Sequence, residues 1–172
     1  DPDTGVDLPV GERGLLLVKG PNVMLGYLND PQKTAAVIKD GWYSTGDIAA
    51  LDEDGFITIT DRLARFSKIG GEMVPHTKVE EVLHELLGLT EQALVVASVP
   101  DSAKGERLVV LHTLTDEQLE ELEAKIADSE LPNLWRPRAT SYFRIDAIPV
   151  LGTGKLDLKQ AKKMALALDT GE

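Results

Sequence analysis

The first sixty residues carry short apolar runs that are separated by turns. FITIT at 56–60 alternates apolar and β-branched polar residues, and IAAL at 48–51 is a short apolar run, so each predicts a β-strand. The polar turn DEDG at 52–55 lies between them, which predicts a β-hairpin. The run GERGLLLVKG at 11–20 is apolar between glycines and predicts a further, buried strand.

A turn, a helix and a loop are predicted between these strands. Residues 21–30 predict a turn followed by a second extended piece. Pro31 suits the first turn of a short helix, which Gly41 should end. Residues 41–47 then predict a loop that leads into the next strand.

After residue 61, apolar residues recur at helical spacing. Val79, Val82 and Leu83 lie on one face of a predicted helix. This helix should run from Pro75 to Leu87, because Gly88 follows and glycine is the usual residue just past a helix end.

Three strands and two more helices are predicted beyond this helix. The strands are expected at 92–101, 107–114 and 139–146. Thr115 and Gln118 have the spacing of a capping box, so a helix should run from there to about Asp128. A last helix is expected at 156–168, with Asp157 as its capping residue.

The whole pattern predicts an α+β fold in two parts. Residues 1–60 are β-rich, and residues 61–172 should form a compact domain of about three strands and three helices. The stretch DRLARFSKIGGEMVPHTKVEE at 61–81 is interpreted as the junction between the two parts, with a functional loop built into it.

Charge and cysteine content exclude several classes of function. The 172 residues carry a formal net charge of −11, so nonspecific binding to nucleic acid or anionic lipid is not expected. The absence of cysteine excludes disulfides and cysteine-based sites. No apolar run approaches the roughly 20 residues that span a bilayer. Basic residues nevertheless gather at Arg136, Arg138 and Arg144, which predicts a local basic patch.

The segment GTGK at 152–155 is the first candidate for chemistry. It is not a phosphate-binding P-loop, because Pro149 stands where that motif needs glycine and Leu156 where it needs serine or threonine. Its glycines still let the loop present the ammonium group of Lys155 to an anion. The alternative is an exposed turn with a solvated lysine.

Two further candidates are the turn before Asp47, in the first part, and the junction, which contains Arg62, Gly70 and Gly71. Asp47 follows a Thr-Gly turn, where a carboxylate can accept hydrogen bonds from a ribose diol or can simply cap the turn. Arg62 can pair with a sugar hydroxyl or a phosphate, or can be a surface charge. Gly70 and Gly71 allow close approach of another chain or a thin ligand, or form a β-bulge.

No metal site is predicted. His76, His84 and His112 lack metal-ligand spacing. The turn at 52–55 hints at a calcium loop, but Asp61 stands where an EF-hand loop needs glutamate.

Four motifs occur in an order that is typical of one family. They are GERGLLLVKGPNVMLGYLNDP, GWYSTGD, DRLARFSKIGGEMVPHTKVEE and IPVLGTGKLD. In this order they resemble the carboxyl-terminal part of the acyl-adenylate-forming enzymes, which include acyl-CoA synthetases, peptide-synthetase adenylation domains and luciferases. The resemblance implies that 1–60 is the end of a large adenylate-binding domain and that 61–172 is the small mobile domain.

Within that family, the stretch RFSKIGGEMVPHTKVEE is most similar to one enzyme class. That class is the synthetase half of the bifunctional bacterial 2-acylglycerophosphoethanolamine acyltransferase and acyl-[acyl-carrier-protein] synthetase. The resemblance implies two steps: acid and ATP give acyl-adenylate, and a phosphopantetheine thiol then takes the acyl group.

The resemblance also implies roles for single residues. Asp47 and Arg62 resemble the family's nucleotide-binding aspartate and arginine, and Lys155 resembles its catalytic lysine. Ala64, followed by Arg65, stands at the hinge, where many members have an acidic residue; this departure leaves the pivot open.

Two groups of residues would serve the second step. Gly70, Gly71 and Glu72 resemble the segment beside the family's phosphopantetheine tunnel. Arg136, Arg138 and Arg144 are the predicted docking residues for an acidic carrier protein.

Cofactor and partners follow from the same resemblance. The full-length enzyme would use ATP with Mg²⁺, and no cofactor is expected to bind the fragment tightly. The implied partners are a fatty acid, acyl carrier protein and, in the full-length protein, a lysophospholipid. The fragment is expected to be soluble and inactive alone. The full-length protein is expected at the cytoplasmic face, with attachment to the inner membrane left open.

Two alternatives stay open. One is a fragment of a fatty acyl-CoA ligase with the same motifs. The other is a module that docks a carrier protein without catalysis.

Overall fold

The computed structural model describes residues 1–169, and these form two compact units. The first unit is Asp1–Ala64 and the second begins at Arg65. Each unit is built around its own sheet, and helices are concentrated in the second. The predicted α+β fold class is therefore confirmed.

The first unit contains a four-stranded antiparallel sheet centred on one long strand. Its strands are β1 (Arg13–Val18), β2 (Ile38–Lys39), β3 (Trp42–Leu51) and β4 (Ile57–Arg62). β3 pairs with the other three. The predicted hairpin around DEDG is confirmed as β3–β4, and the helix α1 (Pro31–Val37) begins at Pro31 as predicted.

Three predictions for this unit are wrong. Residues 21–30 contain no strand. The helix ends at Val37 and not at Gly41, because β2 and β3 form a tight hairpin that turns at Asp40 and Gly41, with φ of 52° and 80°. Residues 42–47 consequently belong to β3 and do not form a loop.

Burial in the first unit is also lower than predicted. Ile48 and Ala49 are its buried apolar residues, whereas β1, which was expected to be buried, is half-exposed. Phe56 and Ile59 are 71% and 60% exposed, so much of the apolar surface of the unit faces outward.

The second unit contains a five-stranded sheet with helices on both faces. Its strands are β5 (Phe66–Ile69), β6 (Glu72–Pro75), β7 (Leu94–Asp101), β8 (Gly105–His112) and β9 (Tyr142–Arg144), in the order β6-β5-β8-β7. β9 pairs with β8 in parallel, and the other pairs are antiparallel. The helices are α2 (His76–Leu87), α3 (Asp116–Ile126) and α4 (Leu158–Leu168).

Alternation along β7 divides the core of this unit into two layers. Leu94 and Val96 pack with residues of α2 and α3, whereas Val95 and Ala97 pack with Ala161 and other residues near α4. Successive side chains of a strand point to opposite faces, so β7, whose first six residues are buried, supplies both layers.

The helix ends agree with their sequence signals. Gly88 ends α2 with a left-handed φ of 63°, and the capping box of Thr115 and Gln118 is present. Asp157 caps α4 by accepting a hydrogen bond from the backbone N–H of Gln160. α3 ends at Ile126, about half a turn earlier than predicted.

The number of strands in the second unit was underestimated. The predicted junction loop contains the β5–β6 hairpin, so five strands form where about three were expected. The strand predicted at 139–146 is confined to β9, because a 3₁₀ turn occupies Ala139–Ser141. No helix within 1–169 is long and apolar enough to cross a membrane.

Candidate functional site

Asp47 and Arg62 lie side by side on β3 and β4. They are register partners, and Arg62 Nε is 2.9 Å from Asp47 Oδ1. The Arg62 guanidinium also donates to the carbonyl oxygen of Thr45, over 3.2 Å. The Thr45 hydroxyl accepts from the backbone N–H of Asp47, so the turn preceding the carboxylate is hydrogen bonded.

This pair combines a recessed anion with an exposed cation. The Asp47 side chain is 19% exposed, whereas the Arg62 side chain is 62% exposed. A carboxylate can accept two hydrogen bonds from the hydroxyls of a ribose, and a guanidinium can donate a fork of hydrogen bonds to a phosphate. The pair can therefore contact the sugar and the phosphate of one nucleotide.

Lys155 lies at the base of a closed loop in the second unit. Val150 and Leu156 form an isolated antiparallel bridge. The backbone N–H of Leu151 donates to the carbonyl of Lys155 over 2.7 Å, and Gly154 has a φ of 80°. The Lys155 side chain is exposed and follows this turn, so its ammonium group can meet an anion.

Gly70 and Gly71 form the turn of the β5–β6 hairpin. Their φ angles are 59° and 89°, which is the left-handed geometry of a two-residue hairpin turn and not that of a β-bulge. A Cβ atom on Gly71 would meet nothing within 4 Å, and one on Gly70 would meet Leu134 at 3.9 Å. The turn is therefore open enough for a thin ligand to pass beside Gly71.

Glu72 is fixed beside this turn by a tryptophan. Trp135 Nε1 donates to Glu72 Oε1 over 2.9 Å, which joins β6 to the 3₁₀ turn Asn133–Trp135. Trp135 also packs against the core. The glycine turn consequently has one rigid flank.

The predicted hinge residues differ in how firmly they are held. Ala64 lies in a 3₁₀ turn, Leu63–Arg65. The Arg65 guanidinium donates to the hydroxyl of Thr77 and to Glu80 Oε2, the latter over 2.6 Å. Arg65 is thus attached to α2.

A buried polar cluster beside this hairpin was not predicted from the sequence. Ser67 Oγ and His76 Nε2 lie 2.5 Å apart, and both residues are almost fully buried. Burial lowers the pKa of His76 to about 3, and the nearby charges of Arg65 and Lys162 add to the shift. His76 is therefore neutral at physiological pH. The alternation of Ser67 and Ile69 inward with Lys68 outward was the available signal for this strand.

The three arginines of the predicted basic patch all have partners within the second unit. Arg138 pairs with Asp101, and Arg144 with Asp116. Arg136 donates to two backbone carbonyls, those of Leu131 and Ser129. Their docking role stays a prediction, and Arg136 in particular holds its own loop.

The histidines are structural in the residues described. The ring of His84 is half-buried between the carbonyl of Glu80 and the N–H of Ala93. His112 is buried and accepts from the N–H of Leu114. Within 1–169, no group of three or more histidine or acidic side chains could hold a metal ion.

Comparison with known proteins identifies a set of relatives. No protein-family model matches the chain. It is 41% identical over 148 residues to a long-chain-fatty-acid–CoA ligase of Bacillus subtilis, which is 84% of this chain and 26% of the ligase.

Two solved structures share the fold and bind nucleotides. ATP-bound MatB from Rhodopseudomonas palustris gives a TM-score of 0.68 at 27% identity, over 95% of this chain and 32% of MatB. The o-succinylbenzoate CoA synthetase of Bacillus subtilis, in complex with its acyl-adenylate OSB-AMP, gives a TM-score of 0.66 at 28% identity, over 90% of this chain and 31% of that synthetase. The chain thus spans between a quarter and a third of the length of these relatives.

Proposed function

We propose that this chain is part of an ATP-dependent ligase. Its homologues and structural neighbours are acyl-CoA ligases and other adenylate-forming enzymes, which supports its place in that superfamily. In the first step a carboxylate oxygen attacks the α-phosphorus of ATP, and pyrophosphate leaves. In the second step a thiol sulfur attacks the acyl carbon of the acyl-adenylate, and AMP leaves.

The observation that carries this proposal is the Asp47–Arg62 pair. Its two members are held at 2.9 Å by strand register and not by a flexible loop. Asp47 would accept hydrogen bonds from the ribose hydroxyls of the nucleotide, and Arg62 would contact a phosphate or a ribose oxygen. A recessed carboxylate beside an exposed guanidinium suits a ligand that is a diol at one end and an anion at the other.

Lys155 would act in the first step. An ammonium group near the carboxylate and the α-phosphate stabilises the negative charge that develops during the attack. The closed turn before Lys155 limits the positions that its backbone can adopt, which is the preorganisation that such a role needs.

Gly70, Gly71 and Glu72 would act in the second step. The open side of the turn at Gly71 would let a phosphopantetheine arm pass, and Glu72 would flank it. The second unit would rotate between the two steps so that each turn acts in its own step. We place the hinge of this rotation at Ala64, and Arg65 would move with the second unit because its side chain is hydrogen bonded to α2.

The proposal also names the acid, the thiol acceptor and the metal ion. The acid is a fatty acid, and the acceptor is the phosphopantetheine thiol of acyl carrier protein, coupled in the complete protein to acylation of a lysophospholipid. Coenzyme A is the second candidate acceptor, because the relative described above is a CoA ligase. Mg²⁺ would accompany the ATP phosphates.

A comparison of acceptors tests the proposal. The complete enzyme would be given ATP and a fatty acid, with either holo-acyl carrier protein or coenzyme A as the thiol. We expect pyrophosphate release in both cases and thioester formation that is faster with the carrier protein. Faster transfer to coenzyme A would favour the second candidate, and absence of pyrophosphate release would contradict both. The chain alone should release pyrophosphate only at background.

A further inference from the structure

One carboxylate in the second unit contacts both the glycine hairpin and the helix that follows Lys155. Glu106 lies at the start of β8. Its Oε2 atom accepts the backbone N–H of Lys68, in β5, over 2.8 Å. Its Oε1 atom accepts the hydroxyl of Ser98, in β7, over 2.8 Å.

The second branch of this network reaches α4. The ammonium group of Lys162 donates to Ser98 Oγ over 2.9 Å and lies 3.7 Å from Glu106 Oε1. Ser98 is buried, whereas the Glu106 side chain is one-third exposed. The Ser98 hydroxyl thus accepts a hydrogen bond from Lys162 and donates one to Glu106.

The hairpin depends on Glu106 because β5 pairs only briefly with β8. The two strands share one register pair, Ile69 with Gly105, and the N–H of Gly70 donates to the carbonyl of Lys104. The next N–H on this edge, that of Lys68, meets the carboxylate of Glu106 in place of a strand carbonyl. A charged acceptor makes a stronger hydrogen bond than a neutral one, so this contact compensates for the short ladder.

The Lys155 loop is connected to α4 at its first turn. Asp157 caps the helix, and its backbone N–H donates to the carbonyl of Pro149 at the start of the loop. Lys162 lies on the same helix, little more than one turn beyond the cap. A shift of α4 relative to β7 would therefore move the loop that carries Lys155.

We propose that Glu106 is a positioning residue that holds the Gly70–Gly71 turn and the Lys155 loop in a constant relation within the second unit. This inference rests on the proposed function, which assigns the two turns to successive steps. Glu106 contacts neither substrate in this proposal; it acts through Lys68 on one side and through Ser98 and Lys162 on the other.

The two branches can be separated by substitution. Glu106→Ala removes both, so it should slow both steps, each by about 10-fold to 100-fold, as small displacements of reacting groups do. Ser98→Ala removes the two hydrogen bonds of the α4 branch and leaves only the longer Lys162–Glu106 ion pair, so it should slow adenylation alone. Glu106→Gln retains an acceptor for Lys68 but turns an N–H donor toward Ser98, so it should behave like Ser98→Ala.

The experiment measures the two steps separately in the complete enzyme. Adenylation is followed by pyrophosphate exchange, and transfer by thioester formation from synthetic acyl-adenylate. Leu122→Ala, a core substitution in α3 that touches neither branch, serves as the control for general destabilisation. It should lower the melting temperature while leaving the ratio of the two rates unchanged.

The outcomes distinguish this inference from the function on which it rests. An unaltered enzyme without pyrophosphate exchange would overturn the proposed function and the inference together. An active enzyme in which Glu106→Ala, Ser98→Ala and Leu122→Ala all alter both rates in proportion to lost stability would overturn the inference alone. A second readout is amide hydrogen exchange in the chain itself, where Glu106→Ala, but not Ser98→Ala, should accelerate exchange at Lys68.

Discussion

Arg65 and Glu80 form a buried ion pair, with Arg65 Nη2 2.6 Å from Glu80 Oε2 and the side chains only 11% and 7% exposed. The other oxygen, Glu80 Oε1, accepts the N–H of Val96 over 2.7 Å. Burial raises the pKa of the Glu80 carboxyl, and the Arg65 charge and the Val96 hydrogen bond oppose that rise. The first residue of the second unit is therefore joined through one carboxylate to the middle of β7.

Removing one partner of this pair should be costly. Glu80→Ala leaves the Arg65 guanidinium buried without its counter-charge, and such a change typically destabilises a protein by about 3–5 kcal/mol. The free energy of unfolding in urea would be measured on the chain itself. As a control, the double variant Arg65→Met/Glu80→Leu should lose much less, because it buries no unpaired charge. Equal losses in the two variants would argue against a buried pair.

His76 should make the stability of the second unit depend on pH. Its pKa is lowered from 6.5 to about 3 by burial, so the unfolded chain binds more protons than the folded chain between these values. Its contribution is therefore complete above pH 6.5 and is lost as the pH falls toward 3. Unfolding at pH 5 should be easier than at pH 7 by about 2 kcal/mol from this residue alone. His76→Gln should remove these 2 kcal/mol, roughly, from the difference in unfolding free energy between pH 5 and pH 7. If the unfolding free energy of the variant depends on pH as strongly as that of the unaltered chain, the lowered pKa of His76 is contradicted.

Lys155→Ala should affect adenylation far more than transfer. In the complete enzyme we expect pyrophosphate exchange to fall by roughly 10²–10³, the usual effect of one well-placed donor. Thioester formation from supplied acyl-adenylate should change little. Lys159→Ala, an exposed lysine four residues away in α4, is the matched control and should leave both steps intact. Equal damage to both steps would show that Lys155 has another role.

Gly71→Phe should have the opposite effect. The side chain would stand on the open side of the turn and obstruct the phosphopantetheine arm, so transfer should fall while adenylation persists. The left-handed backbone adds a strain of about 1–2 kcal/mol. Gly88→Ala is the control. Gly88 has a φ of 63°, so the substitution introduces comparable strain, and it lies outside the hairpin. If both substitutions impair transfer alike, strain and not obstruction is responsible.

Charge reversal at Arg138 and Arg144 tests carrier-protein docking. The Michaelis constant for carrier protein should rise, and the effect should weaken as salt screens charges over about 8 Å. Both arginine side chains are half-exposed. The Arg144–Asp116 pair is a surface ion pair, whose loss typically costs only about 0–1 kcal/mol. Arg138 pairs with Asp101, whose side chain is only 9% exposed, so its reversal is checked for stability first. Lys78→Glu, at another surface pair, is the control. A Michaelis constant that does not change would place the docking surface elsewhere.

Local signals in the sequence were sufficient for much of the fold. The DEDG hairpin, the capping box at Thr115 and the helix end at Gly88 each depend on a few neighbouring residues, and the structure contains all three. The β5–β6 hairpin was missed because its strands have four residues each and its two glycines also suit a hinge. Short strands carry too few alternating positions to be distinguished from a loop.

The polar networks could not be predicted for a different reason. Glu106 contacts residues 38 positions before it in the chain and, through Ser98, a lysine on the last helix. These contacts arise only when the sheet order is known, because β8 lies between β5 and β7. The candidate residues Asp47, Arg62 and Lys155, by contrast, were found from short motifs, and their roles stay predictions.

The parallel pairing of β8 with β9 has a consequence for how the second unit acquires its structure. The hairpins β5–β6 and β7–β8 close over short connections, but β9 reaches β8 only after the crossover at 113–141, which includes α3. Contacts between distant parts of a chain form later than local ones, because ordering a longer loop costs more entropy. β9 and the Lys155 loop beyond it should therefore be the last parts of the unit to fold. In a nascent chain, the glycine hairpin would be in place before the lysine that is proposed to share the same reaction cycle.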